Sequence, residues 1–252
     1  MRVVAGKAGQ ALILCGGLGS RLGSLTASTP KPLLPVAGRP FLDVLLFELG
    51  RHGIRDVVLL AAFEAPKIAA YAEDNPVAAR LGMTLTVTIE PDRAGTAGAL
   101  HHARNLVQGD FLMMNGDSWL AFDLNSLPEI PSGGGCDAML TLRLLPDASR
   151  SGVVTLEGNK VTSFQERPQG PGPGLVNAGI YRFSERIFDA LPATGSLERD
   201  VLPLLSAQGR VQGVVREGYF IDIGVPETYE RAQTEIPEQL ARLSGKDPSQ
   251  QR

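Results

Sequence analysis

The residues of this chain that could do chemistry are a short glycine-rich turn, one lysine and two acids. Residues 16–22 read GGLGSRL and follow a short apolar run, Ala11–Cys15. Glycines let a backbone approach a phosphate closely and leave amide groups free to donate to it. Arg21 adds a guanidinium suited to a triphosphate. Lys31 stands between Pro30 and Pro32, which hold the chain extended around it and favour a fixed place for its ammonium. Asn115-Gly116-Asp117 closes the apolar run FLMM. A carboxylate at the carboxyl end of a buried strand is well placed to hold Mg²⁺ against phosphate oxygens. Asp222 lies inside the apolar stretch YFIDI, where a carboxylate is costly unless paired or metal-bound. Each signal alone has a plainer reading: a tight turn, a solvated loop lysine, an Asn-Gly-Asp turn and a structural salt bridge.

Two common phosphate motifs are absent. A dinucleotide-binding turn would read GxGxxG, whereas here Gly23 follows Gly17 and Gly19 one residue late. A P-loop would end in Gly-Lys-Ser/Thr, which the turn lacks. A nicotinamide-dependent dehydrogenase would also need an acid ending the second strand, but DVVLLA is followed by Ala62-Phe63.

The elements that must position these residues are legible as a rhythm. Ala11–Cys15, Asp56–Ala61, Thr84–Glu90 and Phe111–Met114 read as strands. Phe41–His52, Glu64–Glu73 and Thr96–Val107 read as helices, with Pro66 tolerated only in a first turn. This alternation predicts a mainly parallel sheet with helices on both faces. Further on, Ala138–Arg143, Gly152–Leu156, Val161–Gln165 and Val176–Phe183 read as strands, the last three as an antiparallel excursion, with a loop over residues 166–174. Ser184–Leu191 and Leu197–Ser206 read as helices, Val211–Arg216 and Phe220–Ile223 as strands returning to the sheet, and Pro226–Leu243 as a closing helix. The expected organisation is a loose leader over residues 1–10, one domain over 11–243 and a polar tail over 244–252.

The chain has 252 residues, 43% of them hydrophobic and 20% charged, with a formal net charge of −3. That length allows a large α/β core, and the charge balance carries no basic surplus for nucleic acid or an anionic membrane. No stretch is long and apolar enough to span a bilayer. The two cysteines, Cys15 and Cys136, have no metal-ligand spacing and suit a reducing cytoplasm. Cys15 reads as a small core residue, His101 and His102 as surface or packing residues, and Trp119 as either core or cleft wall.

GGLGSRL followed by TPKPLLPVAGRP resembles the signature of the sugar-phosphate nucleotidyltransferases, and the resemblance runs from Ala11 to about Gln233. It implies a Rossmann-like three-layer nucleotidyltransferase fold, α/β, with a mainly parallel mixed central sheet and a small antiparallel excursion. It also implies an enzyme that takes a nucleoside triphosphate and a sugar 1-phosphate as partners and Mg²⁺ as cofactor. Arg21, Lys31, Asp117 and Asp222 would then be the catalytic group, with Asp117 and Asp222 as the metal ligands. Leu14, Gly16, Gly17, Gly19, Ser20, Arg21, Lys31, Glu90, Gly95, Thr96 and Asn115 would bind the nucleotide, the Glu90–Gly98 loop facing the base. Gly116, Glu166, Arg167, Asn177 and Gly179 would bind the sugar. The family's Glu-Lys pair is Glu166-Arg167 here, and a planar guanidinium is not equivalent to an ammonium.

The stretches GRPFLDVLL, NGDSWLAFDL, SLERDVLP and YFIDIGVPETYERAQ look most like the guanylyltransferases acting on D-glycero-D-manno-heptose 1-phosphate, which serve bacterial surface glycans (lipopolysaccharide, capsule). Mannose 1-phosphate guanylyltransferases and N-acetylmuramate 1-phosphate uridylyltransferases are the alternatives. The chain ends one helix after Asp222, so the expectation is a short member without a β-helical extension. A non-catalytic nucleotide-sugar-binding regulatory subunit is the contrasting class, and the presence of all four charged residues argues against it. A homodimer is a reasonable expectation.

Overall fold

The computed structural model describes residues 9–245, apart from 91–92, 132, 150–151 and 166–169. β1 (Gln10–Leu14) starts one residue before the apolar run, because Gln10 is itself tied down. Its side-chain amide donates to Asp56 Oδ2 at 2.8 Å and to the Leu106 carbonyl at 2.9 Å. A small hairpin, β2 (Pro35–Val36) and β3 (Arg39–Pro40), leads into α1 (Phe41–Arg51). Then come β4 (Asp56–Ala61), α2 (Ala65–Glu73) with Pro66 in its first turn, α3 (Pro76–Leu81) and β5 (Thr84–Ile89). α4 (Gly95–His102) is shorter than its sequence pattern and passes into a 3₁₀ turn, Arg104–Leu106. β6 (Phe111–Asn115) and β7 (Ser118–Ala121) flank Asp117.

The second half adds β8 (Ala138–Leu145), β9 (Val153–Glu157), β10 (Lys160–Gln165) and β11 (Gly174–Phe183). Ser184–Leu191, expected helical, holds only a 3₁₀ turn, Glu185–Asp189. The helix expected from Leu197 opens as a π turn over Leu197–Val201 before α5 (Leu202–Ala207), where Pro203 cannot donate to a helical ladder. β12 (Val211–Val215), β13 (Tyr219–Asp222) and α6 (Pro226–Leu243) complete the chain.

Among the described residues, nine strands form one sheet in the order β5-β4-β1-β6-β11-β8-β12-β10-β9. β5, β4, β1 and β6 run parallel. β11 enters antiparallel between β6 and β8, and β12 lies parallel to β8. Two expectations change. β11 belongs to the middle of the sheet rather than to an excursion; only β9 and β10 form an antiparallel edge hairpin. β13 does not return to the sheet, but pairs antiparallel with β7 as a separate ribbon.

Alternating residues of the parallel strands supply two cores. Ala11, Ile13, Val57, Leu59, Leu112 and Met114 face α1, α2, α3, α6 and the ribbon. Leu12, Val58, Leu60, Phe111 and Met113 face α4, α5 and the turns between them. Both faces being covered explains why these strands read as unbroken apolar runs. All the parallel strands therefore aim their carboxyl ends at one rim of the sheet, where α/β folds place ligands.

α3 was not anticipated, and its start rests on one side chain. Asn75, buried at 7% exposure, accepts from Ala78 N at 2.8 Å and caps the helix. Asn75→Ala is expected to cost about 0.5–2 kcal/mol, read as a lower urea midpoint with an unchanged slope.

Candidate active site

The glycine-rich turn leaves β1 at the ligand-bearing rim. At Gly16 a Cβ would come within 2.8 Å of the Ala62 Cβ and 3.4 Å of Glu90 Oε1. Gly19 has φ +62°, and a Cβ there would meet the Lys31 Cε at 3.1 Å. Its carbonyl accepts from Leu22 N at 2.8 Å and from Thr26 Oγ1 at 2.9 Å. The turn is thereby folded over the stem of Lys31. Gly17 is different: no neighbour crowds it, and it lines the cleft. Ser20 and Arg21, both exposed, open a 3₁₀ turn, Ser20–Thr26, that buries Leu22 and Thr26.

Lys31 is buried at 9% exposure and donates to Asp117 Oδ2 at 2.7 Å. Asp117 immediately precedes β7, and Asp222 is the last residue of β13. The ribbon register places Asp222 opposite Ser118, and Ile223 N donates to the Asp117 carbonyl at 2.9 Å. The two acids therefore share one end of the ribbon. Burial, and then the neighbouring charge of Asp117, push the Asp222 carboxyl up to about 6; the Gly224 amide, Lys31 and Arg21 pull the other way.

Gly224 was not singled out in the sequence. Its N–H donates to Asp222 Oδ1 at 2.5 Å. A Cβ there would lie 2.7 Å from that oxygen and 3.5 Å from both the Arg21 guanidinium and Lys31 Nζ. The only available signal was a glycine two residues after an acid, which also describes an ordinary turn.

A cleft of about 170 Å³ opens beside these groups. One wall is Leu14, Gly17, Lys31, Pro32 and the Asn115-Gly116-Asp117 corner; the other is Thr96, Tyr181, Leu197 and Glu198. Gly116 is forced by the fold, since a Cβ would collide with the Leu14 carbonyl. Gly179, at φ +74°, packs flat on the Asn115 side chain. Gly95, at φ +77°, lies against the Gly195 carbonyl. That approach is sealed by Ala97 N to Gly195 O at 3.0 Å and Gly195 N to Ala94 O at 2.8 Å. Thr96 does not cap α4; its hydroxyl accepts from Leu197 N at 2.8 Å. Glu90 accepts from Ala94 N at 2.9 Å, and burial raises its carboxyl above the usual range.

Asn177 does not stand among the cleft-lining residues. Its amide donates to Tyr181 Oη at 2.6 Å and Glu198 Oε1 at 2.8 Å, and Tyr181 Oη donates to the same Glu198 oxygen at 2.9 Å. Tyr181 and Glu198 are thus cleft residues that the sequence reading passed over. Trp119 resolves as core, fully buried. Cys15 is buried core as well, and His101 sits on the Leu191 carbonyl at 3.0 Å. Glu166 and Arg167 lie outside the described residues.

The sequence profile of the nucleotidyl transferase family matches residues 10–239. The chain belongs to the nucleotidyl transferase family. A D-glycero-alpha-D-manno-heptose 1-phosphate guanylyltransferase of Aneurinibacillus thermoaerophilus is 31% identical over 230 residues, covering 90% of this chain and 98% of that protein. A mannose-1-phosphate guanylyltransferase of Mycobacterium tuberculosis is 33% identical over 237 residues, which is 92% of this chain but 65% of that longer protein. The crystal structure of HddC from Yersinia pseudotuberculosis complexed with GMP-PN superposes with a TM-score of 0.78 at 31% identity, covering 90% of this chain and 99% of that one.

For a nucleotidyl transferase, the site's donor set fits a hard divalent cation. Two carboxylates share one ribbon end, and the charge of one raises the pKa of the other. Mg²⁺ is commonly held by one or two carboxylates, with substrate phosphates and water completing its shell. Among the described residues, no cluster of three or more His, Cys, Asp or Glu side chains offers an all-protein cage. Also among the described residues, no helix is long and apolar enough to cross a membrane.

Two outcomes follow for this nucleotidyl transferase. Gly224→Ala should lower turnover by about 100-fold, because displacing charged groups by an ångström is enough for that; steady-state kinetics on the folded variant checks it. Asp222 binds its proton more readily folded than unfolded, so folding stability falls as pH rises from 3.8 to about 6 and the deficit persists above. In metal-free buffer at pH 8, Asp222→Asn should therefore melt higher than the unaltered chain, while the two converge below pH 4.

Proposed function

We propose that the chain transfers GMP from GTP to a sugar 1-phosphate, D-glycero-α-D-manno-heptose 1-phosphate in the first instance, releasing pyrophosphate and forming a nucleotide sugar. The observation that carries this reading is the meeting of Lys31, Asp117, Asp222 and Arg21 around Gly224, beside the glycine turn. Support for guanine and heptose comes from the relatives, above all those of matching length.

The chemistry is an in-line displacement at the α-phosphorus. The attacking sugar-phosphate oxygen is already anionic, so no general base is needed, and catalysis reduces to placement and charge stabilisation. In this reading Arg21 and Lys31 balance charge on the triphosphate, while the amides around Gly16, Gly17 and Gly19 approach its oxygens. Asp117 and Asp222 hold Mg²⁺, which when bound neutralises phosphate charge. Leu14, Ser20, Glu90, Gly95, Thr96 and Asn115 form the nucleotide side. Gly116, Asn177 and Gly179 belong to the sugar side, with Asn177 acting through Glu198 and Tyr181. The Glu198 carboxylate, held by both partners, is a suitable acceptor for sugar hydroxyls.

A reducing, cytoplasmic setting suits two free buried cysteines. The test crosses GTP, ATP, UTP and dTTP with heptose, mannose, glucose and N-acetylmuramate 1-phosphates and measures pyrophosphate. GTP with heptose 1-phosphate should dominate. Asp117→Asn should lose at least about 100-fold of that activity with an unchanged circular dichroism spectrum. Pyrophosphate release by that variant at the normal rate would sink the assignment, and no release from any pair would favour a regulatory subunit.

A further inference from the structure

The ribbon that carries both acids is not part of the main sheet, so something else must fix it against the β6 corner. Its inner anchor is Trp119, fully buried two residues after Asp117 and paired in register with Ile221 beside Asp222. The Trp119 ring packs edge-on to Tyr219 at 5.5 Å, and Tyr219 Oη donates to Glu235 of α6 at 3.0 Å. The indole N–H points the other way, into α1, and donates to Glu48 Oε2 at 3.1 Å.

Glu48 stands in the apolar run LLFELG and has no exposed surface. A buried carboxylate persists only where its lone pairs are met. Arg51, one turn on, does this from two nitrogens, Nε to Oε2 at 3.0 Å and a terminal nitrogen to Oε1 at 2.7 Å. That terminal nitrogen also donates to the Phe122 carbonyl at 2.8 Å, directly after β7. His52 completes the group, its Nδ1 3.6 Å from Glu48 Oε1 and its Nε2 3.4 Å from Asp123. Glu48 and Arg51 therefore grip β7 at both ends, through Trp119 near its start and Phe122 just past its finish. A carboxylate that served α1 alone would need neither grip.

We propose that Glu48 is a positioning residue for the Asp117–Asp222 pair, acting through the Trp119 indole N–H to hold the ribbon at the distance a divalent cation requires. The proposal rests on the reading of those acids as cation ligands. Partners of this kind, one step or more behind the ligands, set metal affinity more than they set the chemical step. A role in stability alone would lower the melting temperature and leave cation affinity untouched.

The test uses the full chain with Glu48→Gln, Trp119→Phe, both together, and Asp117→Asn. Two quantities are read: the Mg²⁺ concentration for half-maximal pyrophosphate release, and Mn²⁺ binding to the protein by electron paramagnetic resonance. Glu48→Gln and Trp119→Phe should each weaken both by about 10-fold, with turnover recovered at high Mg²⁺. The double variant should be no worse than either single one, since both remove the same link. Trp119→Phe keeps a ring in the core and leaves the Glu48–Arg51 pair whole, so it carries the test if Glu48→Gln does not fold. Unchanged cation affinity in the folded single variants, or additive losses in the double one, would overturn the proposal. Full Mn²⁺ binding by Asp117→Asn would instead overturn the cation site itself, whatever Glu48 does.

Discussion

Two carboxylates of like charge are held at one end of a two-stranded ribbon, and the rest of the site answers that constraint. Bringing Asp222 out of water beside Asp117 is unfavourable in itself, as its raised pKa records. The fold accepts this because cations surround the pair. Lys31 is locked on Asp117, Arg21 reaches the Gly224 corner, and the Gly224 amide supplies a donor to Asp222. In the proposed reading a bound divalent cation would relieve the residual mismatch. The site is thus less stable than it could be when empty, which is what preorganisation for a highly charged substrate requires.

Around that pair the walls are set by close backbone approach rather than by side-chain bulk. Gly116 lets the β6 corner lie on the end of β1, and Gly179 lets β11 lie on Asn115. Gly95 meets Gly195 in the same way, and the hydroxyl of Thr96 is spent on Leu197 N. The segment at the start of α4 and the segment bearing Glu198 are consequently one mechanical unit, joined by three hydrogen bonds. Thr96, Leu197 and Glu198 all stand on the same wall of the cleft, so these bonds brace that wall as one piece.

The sequence was most legible where a local pattern sufficed. Apolar runs marked β1, β4 and β6 to within a residue because both faces of those strands are covered, and Pro226 to Leu243 showed as a helix with its own amphipathic stripe. The glycine turn stood out by its composition after an apolar run, Lys31 by its flanking prolines, and the two acids because a carboxylate at the end of or inside an apolar run is expensive. The ribbon was not visible. Its strands have four residues each and pair across roughly a hundred positions, so no local period announces them. Tyr181 and Glu198 were missed for opposite reasons. One reads as core in a strand, the other as an exposed helix acid, and only folding makes them share a hydrogen bond. Asn177 was found, but its amide serves that pair rather than the cleft directly.

What the cleft lacks in reactive side chains also constrains its chemistry. The three histidines of the chain are His52, His101 and His102. His52 belongs to the Glu48 cluster beneath α1, and none of the three is among the residues lining the cleft. Cys15 and Cys136 are buried, and burial pushes both thiols away from the nucleophilic thiolate. Tyr181 reaches the cleft, but burial and then Glu198 hold its phenol well above the usual range, so it donates rather than ionises. The residues lining the cleft therefore offer charges, amides and hydrogen bonds, and the group beside them raised toward neutrality is the Asp222 carboxyl, at about 6. In the proposed reaction the acceptor arrives already ionised and attacks a phosphorus whose charge Arg21 and Lys31 would balance, so the chemistry calls for neither a general base nor a covalent intermediate.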